Sequence, residues 1–231
     1  MEPKLPKFES VFTIDCVIFA FDEGELKVLL IERNEEPFKD WSALPGHFVH
    51  SNEGIEEAAG RILYELTGLR DIYMEQLYIF GDVDRHPQGR VITVAYYAMI
   101  RLQGHQDVRP VSNFAKKAFW YPVADVPKLA FDHSQIFEKS LQKIRRKILH
   151  SSIAFELLPE KFTLTQLQQL YEAVLNKKLD KRNFRKKMLN SGVLIELDEK
   201  QRGVSYRAAR LYKFDKRKYN KLFQQDLTFI G

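Results

Sequence analysis

Apolar and turn-forming residues alternate in blocks along the first part of the chain. Residues 11–21 are rich in β-branched and aromatic side chains, Asp22-Glu23-Gly24 supplies turn formers, and 26–33 resumes the apolar run, so a β-hairpin is predicted. The same composition predicts strands over 73–80, 90–101 and 118–121. Between them Ile55, Ala58, Ala59, Ile62, Leu63 and Leu66 recur at helical spacing and Gly68 offers a stop, which gives a helix over about 53–67. Asp132 is placed to cap another helix running to about 149. Strands interspersed with helices over this length predict an α/β or α+β sandwich.

The pattern changes beyond residue 150. Thr163-Leu164-Thr165-Gln166 has the capping-box form, and Leu164, Leu167, Leu170, Tyr171, Val174 and Leu175 make one apolar stripe, so a helix opens at Thr163. A shorter helix is predicted from an Asp180 cap to Asn190, closed by Gly192. A strand over 193–197, a turn over 198–203 and a returning strand over 204–214 follow. Two helices and a β-hairpin in this order outline a winged helix-turn-helix. The expected domains are therefore 1–150 and 151–231.

Charge sharpens this division. Of 231 residues, 36 are Lys or Arg and 31 Asp or Glu. Residues 1–150 hold 19 basic and 22 acidic residues, whereas 151–231 hold 17 basic and 9 acidic. A near-neutral front part joined to a basic module suits a small-molecule domain linked to one that meets an acidic polymer, or simply a basic surface that aids solubility. No apolar run is long enough to span a bilayer, and no signal-peptide core follows Lys4 and Lys7, so secretion and membrane insertion are not expected. The single cysteine, Cys16, cannot form an internal disulfide, which fits a reducing, cytoplasmic setting.

The basic module offers a nucleic-acid face. At about 100° per residue, Phe184 and Met188 fall on one side of the second helix and Arg182, Asn183 and Lys186 on the other. Arg suits guanine edges, Asn suits adenine, and Lys serves phosphates or guanine. Lys178, Lys181 and Arg185 would sit against backbone phosphates, and Arg202 and Arg207 flank the turn at Gly203 where a wing would meet DNA. Thr163 and Thr165 open a helix N-terminus that favours anions, although capping alone would equally explain them.

In the front part, Glu53, Arg61, Leu63, Glu65, Gly68 and Leu69 resemble the Nudix box, whose pattern is G-x5-E-x7-R-E-U-x-E-E-x-G-U with U aliphatic. The spacing is kept without a gap. His47 stands at the opening Gly, and Ile62 and Leu66 replace two of the three helix glutamates. Nudix hydrolases gather hard divalent cations on these carboxylates, and Mg²⁺ requires several oxygen ligands that Ile62 and Leu66 cannot supply. Glu57, Arg61 and Glu65, four apart, also read as a helix-face ion-pair ladder. The front domain is therefore expected to bind a ligand without cutting it, with no catalytic residue, metal or cofactor. Candidate ligand-binding residues are Arg33, Trp41, His47 and Phe48, together with Asp82, Asp84, Arg85 and Arg90 of a polar loop between two apolar strands. That loop also reads as a solvated turn, with Trp41 in the core.

The degraded box, followed by Phe155-Glu156-Leu157-Leu158-Pro159-Glu160-Lys161-Phe162-Thr163-Leu164 and Leu179-Asp180-Lys181-Arg182-Asn183-Phe184-Arg185-Lys186-Lys187, resembles the Nudix-related transcriptional regulators of the NrtR and AraR type. The resemblance covers nearly the whole chain. It implies an α+β architecture, a Nudix α/β/α sandwich followed by a winged helix-turn-helix. It also implies a homodimer that represses a metabolic operon by binding a palindromic double-stranded DNA operator. Such regulators respond to a small effector, some to ADP-ribose and others to a pentose such as L-arabinose. A working Nudix hydrolase with a basic appended module is the competing reading.

Overall fold

The computed structural model of the chain describes residues 11–22, 24–102, 104–201 and 208–222. It separates into two compact units. One comprises the chain through Phe19 with Val28–Ala98 and His105–Ser140; the other comprises Ala20–Lys27, Met99–Gly104 and the chain from Leu141 onward.

The first unit is built on a sheet of β1 (Val11–Asp22), β2 (Glu25–Arg33), β3 (Ser42–Ala43), β4 (Gly46–Phe48), β5 (Glu75–Phe80), β6 (Val91–Arg101) and β7 (Ala115–Pro122). The strand order is β3-β2-β1-β6-β5, with β4 beside β1 and β7 beside β2. Helix α1 (Ile55–Thr67) buries Ala58, Ala59, Ile62, Leu63 and Leu66, the stripe expected from their spacing. Gly68 ends it at φ 78°, and a Cβ there would lie 3.0 Å from the Arg109 carbonyl, so glycine serves both the left-handed cap and a close backbone approach.

Helix α2 (His133–His150) covers the opposite face. The Cys16 thiol points to the Ala59 carbonyl of α1, while Phe19 meets Phe137 of α2 at 6.1 Å between ring centroids. Residues three apart on a strand face opposite sides, so β1 is sandwiched between the two helices. This explains the unbroken burial of Ile14 through Ala20, where a sheet with one wet face would alternate. The Asp132 carboxylate does not cap α2 as expected; it binds Arg85, and the helix start is held by the Asp132 carbonyl accepting from Gln135 and Ile136.

In the second unit, α3 (Ile153–Leu157), α4 (Leu164–Leu175), α5 (Lys181–Asn190), β8 (Leu194–Lys200), β9 (Arg210–Phe214) and α6 (Lys216–Leu222) form helices with an antiparallel hairpin. Aromatic residues knit the hairpin to its surroundings. Phe155 stacks on Phe214 at 4.1 Å, Phe214 meets Tyr219 of α6 at 5.5 Å, and Phe162 exchanges backbone hydrogen bonds of 3.0 and 2.8 Å with Tyr212. No helix among the described residues is long and apolar enough to cross a membrane.

Candidate nucleic-acid interface and ligand pocket

Local capping chemistry sets the geometry of α4 and α5. The Thr163 hydroxyl accepts from the Gln166 amide and donates to Gln166 Oε1, which also accepts from the Thr163 backbone. Thr163 is buried, so its hydroxyl closes the cap and does not face a phosphate; its placement among the anion-binding candidates is corrected. Asn176 at φ 51° turns the chain after α4, Glu172 accepts from the Leu179 amide, and Asp180 accepts from the Asn183 amide to begin α5. The Glu172 carboxyl is held below its ordinary value, first by that backbone bond.

Phe184 and Met188 dock α5 inward, with Phe184 edge-on to Tyr171 at 5.6 Å. The opposite face presents Arg182, Asn183 and Lys186 to solvent, as the helical arithmetic predicts, and Lys181 is exposed in the first turn. Exposed Thr165 meets Arg185 Nη2 at 3.4 Å, and Arg185 Nε is buried without a hydrogen-bond partner among the described residues. Lys178 is exposed and pairs with Glu172 at 3.3 Å. In the hairpin, Arg210 pairs with Glu196 and lies opposite Lys200. Arg202 and Arg207 lie outside the described residues.

The first unit holds a pocket whose walls include Arg33, His47, Phe48, Arg85, His86 and Phe131. Its floor is a buried polar network. Arg85 binds Asp132 in a fork, Nε to Oδ2 at 2.9 Å and Nη2 to Oδ1 at 2.7 Å, and Nη2 also reaches Asp15 at 3.3 Å. His133 Nδ1 accepts from the Leu44 amide at 3.0 Å, so its proton lies on Nε2, 3.3 Å from the other Asp15 oxygen. Burial alone would raise the Asp15 carboxyl, but His133, Arg85 and Thr93 together hold it below its ordinary value. Gly46 passes directly over this carboxylate, leaving no room for a Cβ between it and the Ile14 carbonyl.

Above the floor, Phe131 lies under three groups. The Arg33 guanidinium is 4.8 Å from its centroid, His86 stacks on it at 5.0 Å and Phe38 meets it edge-on at 4.8 Å. His47 packs on Phe114 at 4.1 Å; burial and nearby Arg61 lower its pKa, and burial and Arg85 do the same for His86, so both rings favour the neutral form. Of the sequence candidates, Arg33, His47, Phe48 and Arg85 meet here, whereas Trp41, Asp82, Asp84 and Arg90 are not in the wall. Trp41 packs edge-on to Phe38 while remaining 42% exposed, which places it outside the core as well. Asp82 and Asp84 point to solvent, and Arg90 holds its own loop through the Gly81 carbonyl. Sequence reasoning missed Asp15, His86, Phe114, Phe131 and His133. Asp15 carried a signal, a lone carboxylate inside an apolar strand.

The Nudix-box residues do not fit a divalent cation. Ile62 and Leu66 are buried apolar side chains. Glu53 receives Arg61 Nε at 2.8 Å and Nη2 at 2.5 Å as well as the His50 amide, which takes its pKa down to about 2. Glu65 binds the same guanidinium at 2.9 Å, and Glu57 caps Gly54. The ion-pair ladder thus closes through Glu53 and Glu65 and bypasses Glu57. Among the described residues no group of three or more His, Cys, Asp or Glu side chains is placed to hold a metal.

Residues 11–140 match the NUDIX domain, and residues 154–214 match the NrtR DNA-binding winged helix domain. The sequence is 34% identical over 223 residues, 95% of this chain and 88% of the relative, to an ADPR responsive transcriptional repressor NtrR of Acinetobacter baylyi. The chain belongs to the NrtR family. Solved NrtR structures agree. Shewanella oneidensis NrtR complexed with a 27mer DNA superposes with a TM-score of 0.72 at 33% identity, covering 88% of this chain and 93% of that one. The NUDIX domain of the same NrtR complexed with ADP ribose gives a TM-score of 0.57 at 33% identity, covering 62% of this chain and 94% of that one.

Proposed function

We propose that this protein is a transcriptional repressor of a metabolic operon that binds a palindromic operator as a cytoplasmic homodimer and is released by ADP-ribose. The observation that carries the reading is the exposed face of α5, where Lys181, Arg182, Asn183 and Lys186 stand free of the packing made by Phe184 and Met188. Arg182 and Asn183 read base edges, while Lys178, Lys181 and Arg185 set the register on phosphates. Support for DNA comes from the NrtR complex, and support for ADP-ribose over L-arabinose from the ligand held by the homologous NUDIX domain. The first unit binds its ligand without hydrolysis, because two of three box glutamates are buried apolar residues and the remaining one is spent on Arg61.

ADP-ribose can weaken DNA binding only by favouring the protein arrangement that holds operator less well. The test is fluorescence anisotropy of a labelled operator duplex as effector is added. ADP-ribose displaces the duplex and L-arabinose leaves it bound. Displacement by L-arabinose alone moves the effector to a pentose, and ADP-ribose breakdown in Mg²⁺ returns the hydrolase reading.

A further inference from the structure

The pocket contains two guanidinium groups, each immobilised through Nε and Nη2. Arg85 spends those atoms on Asp132 and Asp15. Arg33 spends them on the Pro37 carbonyl at 3.1 Å and the Glu35 carbonyl at 3.3 Å, while its plane rests over Phe131. In both side chains Nη1 makes no hydrogen bond or ion pair among the described residues, although both arginines line the pocket. Two pairs of N–H donors are therefore held ready, at little further cost in side-chain entropy.

A nucleoside diphosphate sugar brings a charged diphosphate into this cleft, and a partly buried anion requires compensating charge and donors. In a Nudix hydrolase, divalent cations on the helix carboxylates provide that compensation. Here Ile62 and Leu66 carry no oxygen, and Glu53 and Glu65 are both engaged by Arg61. Carboxylates also border the clamp, but Glu35 and Glu36 are exposed and screened by water, while Asp15 in the pocket floor is already paired with Arg85 and faced by His133. We infer that Arg33 and Arg85 take the place of the metal ions and hold the diphosphate through their Nη1 groups without a divalent cation. The inference rests on the reading of ADP-ribose as ligand.

Calorimetric titration of the full chain with ADP-ribose, in EDTA and in Mg²⁺, tests it. The expected affinities agree within about twofold between the two buffers, and Arg33→Gln weakens binding by about tenfold or more while Arg33→Lys loses less. Because Arg33 also braces its loop, the salt dependence is measured as well. Loss of a phosphate contact flattens the slope of affinity against salt, which loosening of the loop alone would not do. Tightening by about tenfold or more in Mg²⁺, or an unaltered affinity and salt slope in Arg33→Gln, overturns the metal-free clamp while leaving ADP-ribose as the ligand. Absence of ADP-ribose binding in both buffers refutes the ligand itself and the clamp with it.

Discussion

Replacing Arg85 with Met removes the cation from two carboxylates that have little water to turn to. The side chains of Arg85, Asp15 and Asp132 are 4%, 5% and 11% exposed. Breaking a buried pair from one side costs about 3–5 kcal/mol, because the remaining charge is left uncompensated. Met preserves much of the apolar stem, so the loss is electrostatic more than steric. In the native protein Asp15 sits below its ordinary pKa, so its stabilising share is present above about pH 4 and fades as pH falls through the lower, folded value. In Arg85→Met one of the cations facing Asp15 is gone while His133 and Thr93 remain, so the Asp15 pKa rises from its native value and the variant takes up a proton at higher pH than the native protein does. The gap between the two proteins therefore narrows as pH falls. Both tryptophans, Trp41 and Trp120, lie in the first unit, so their fluorescence during urea titration reports its unfolding. With a slope of about 2 kcal/mol per molar urea, the midpoint falls by about 2 M at pH 7.5. A shift below about 0.3 M refutes the claim that Arg85 neutralises buried carboxylates.

Arg182→Ala costs about 1–3 kcal/mol in operator affinity and relaxes preference at particular base pairs, whereas Lys178→Ala weakens binding to all duplexes alike; competition against mutated operators separates the two. Gly46→Ala forces a methyl group into the Asp15 carboxylate and the Ile14 carbonyl, so the fluorescence melting midpoint falls and ADP-ribose affinity falls with it. Ile62→Glu restores a Nudix-box carboxylate but at a fully buried position, so it destabilises the first unit by several kcal/mol at pH 7.5, less at pH 5, and product analysis in Mg²⁺ shows no hydrolysis of ADP-ribose.

The elements that the chain announced were those specified by local patterning. The α1 stripe, the Thr163 capping box, the Asp180 cap and the two faces of α5 depend on residues within a few positions of one another, and each appears where its spacing placed it. Short β3 and β4 escaped because two or three residues have no period; they exist through pairing with β2 and β1. β8 extends to Lys200, into the stretch expected to turn, because pairing with Arg210 sets its end, while residues 204–207 of the expected returning strand lie outside the described residues. Asp132 had the form of a cap, yet a guanidinium 47 residues away in sequence is the stronger partner. The pocket was half legible because Arg33, His47, Phe48 and Arg85 cluster near recognisable motifs. Phe131 lies just before α2 and His133 opens it, and no local rule joins either to the Gly81–Arg90 loop.

The most direct measurement is selection of bound duplexes from a random DNA pool by the full-length protein, run in parallel with and without ADP-ribose. A homodimeric, ADP-ribose-responsive repressor enriches one inverted repeat without ligand and loses that enrichment when ADP-ribose is present. Failure to enrich any sequence at low and moderate salt, or equal enrichment in both arms, would contradict it.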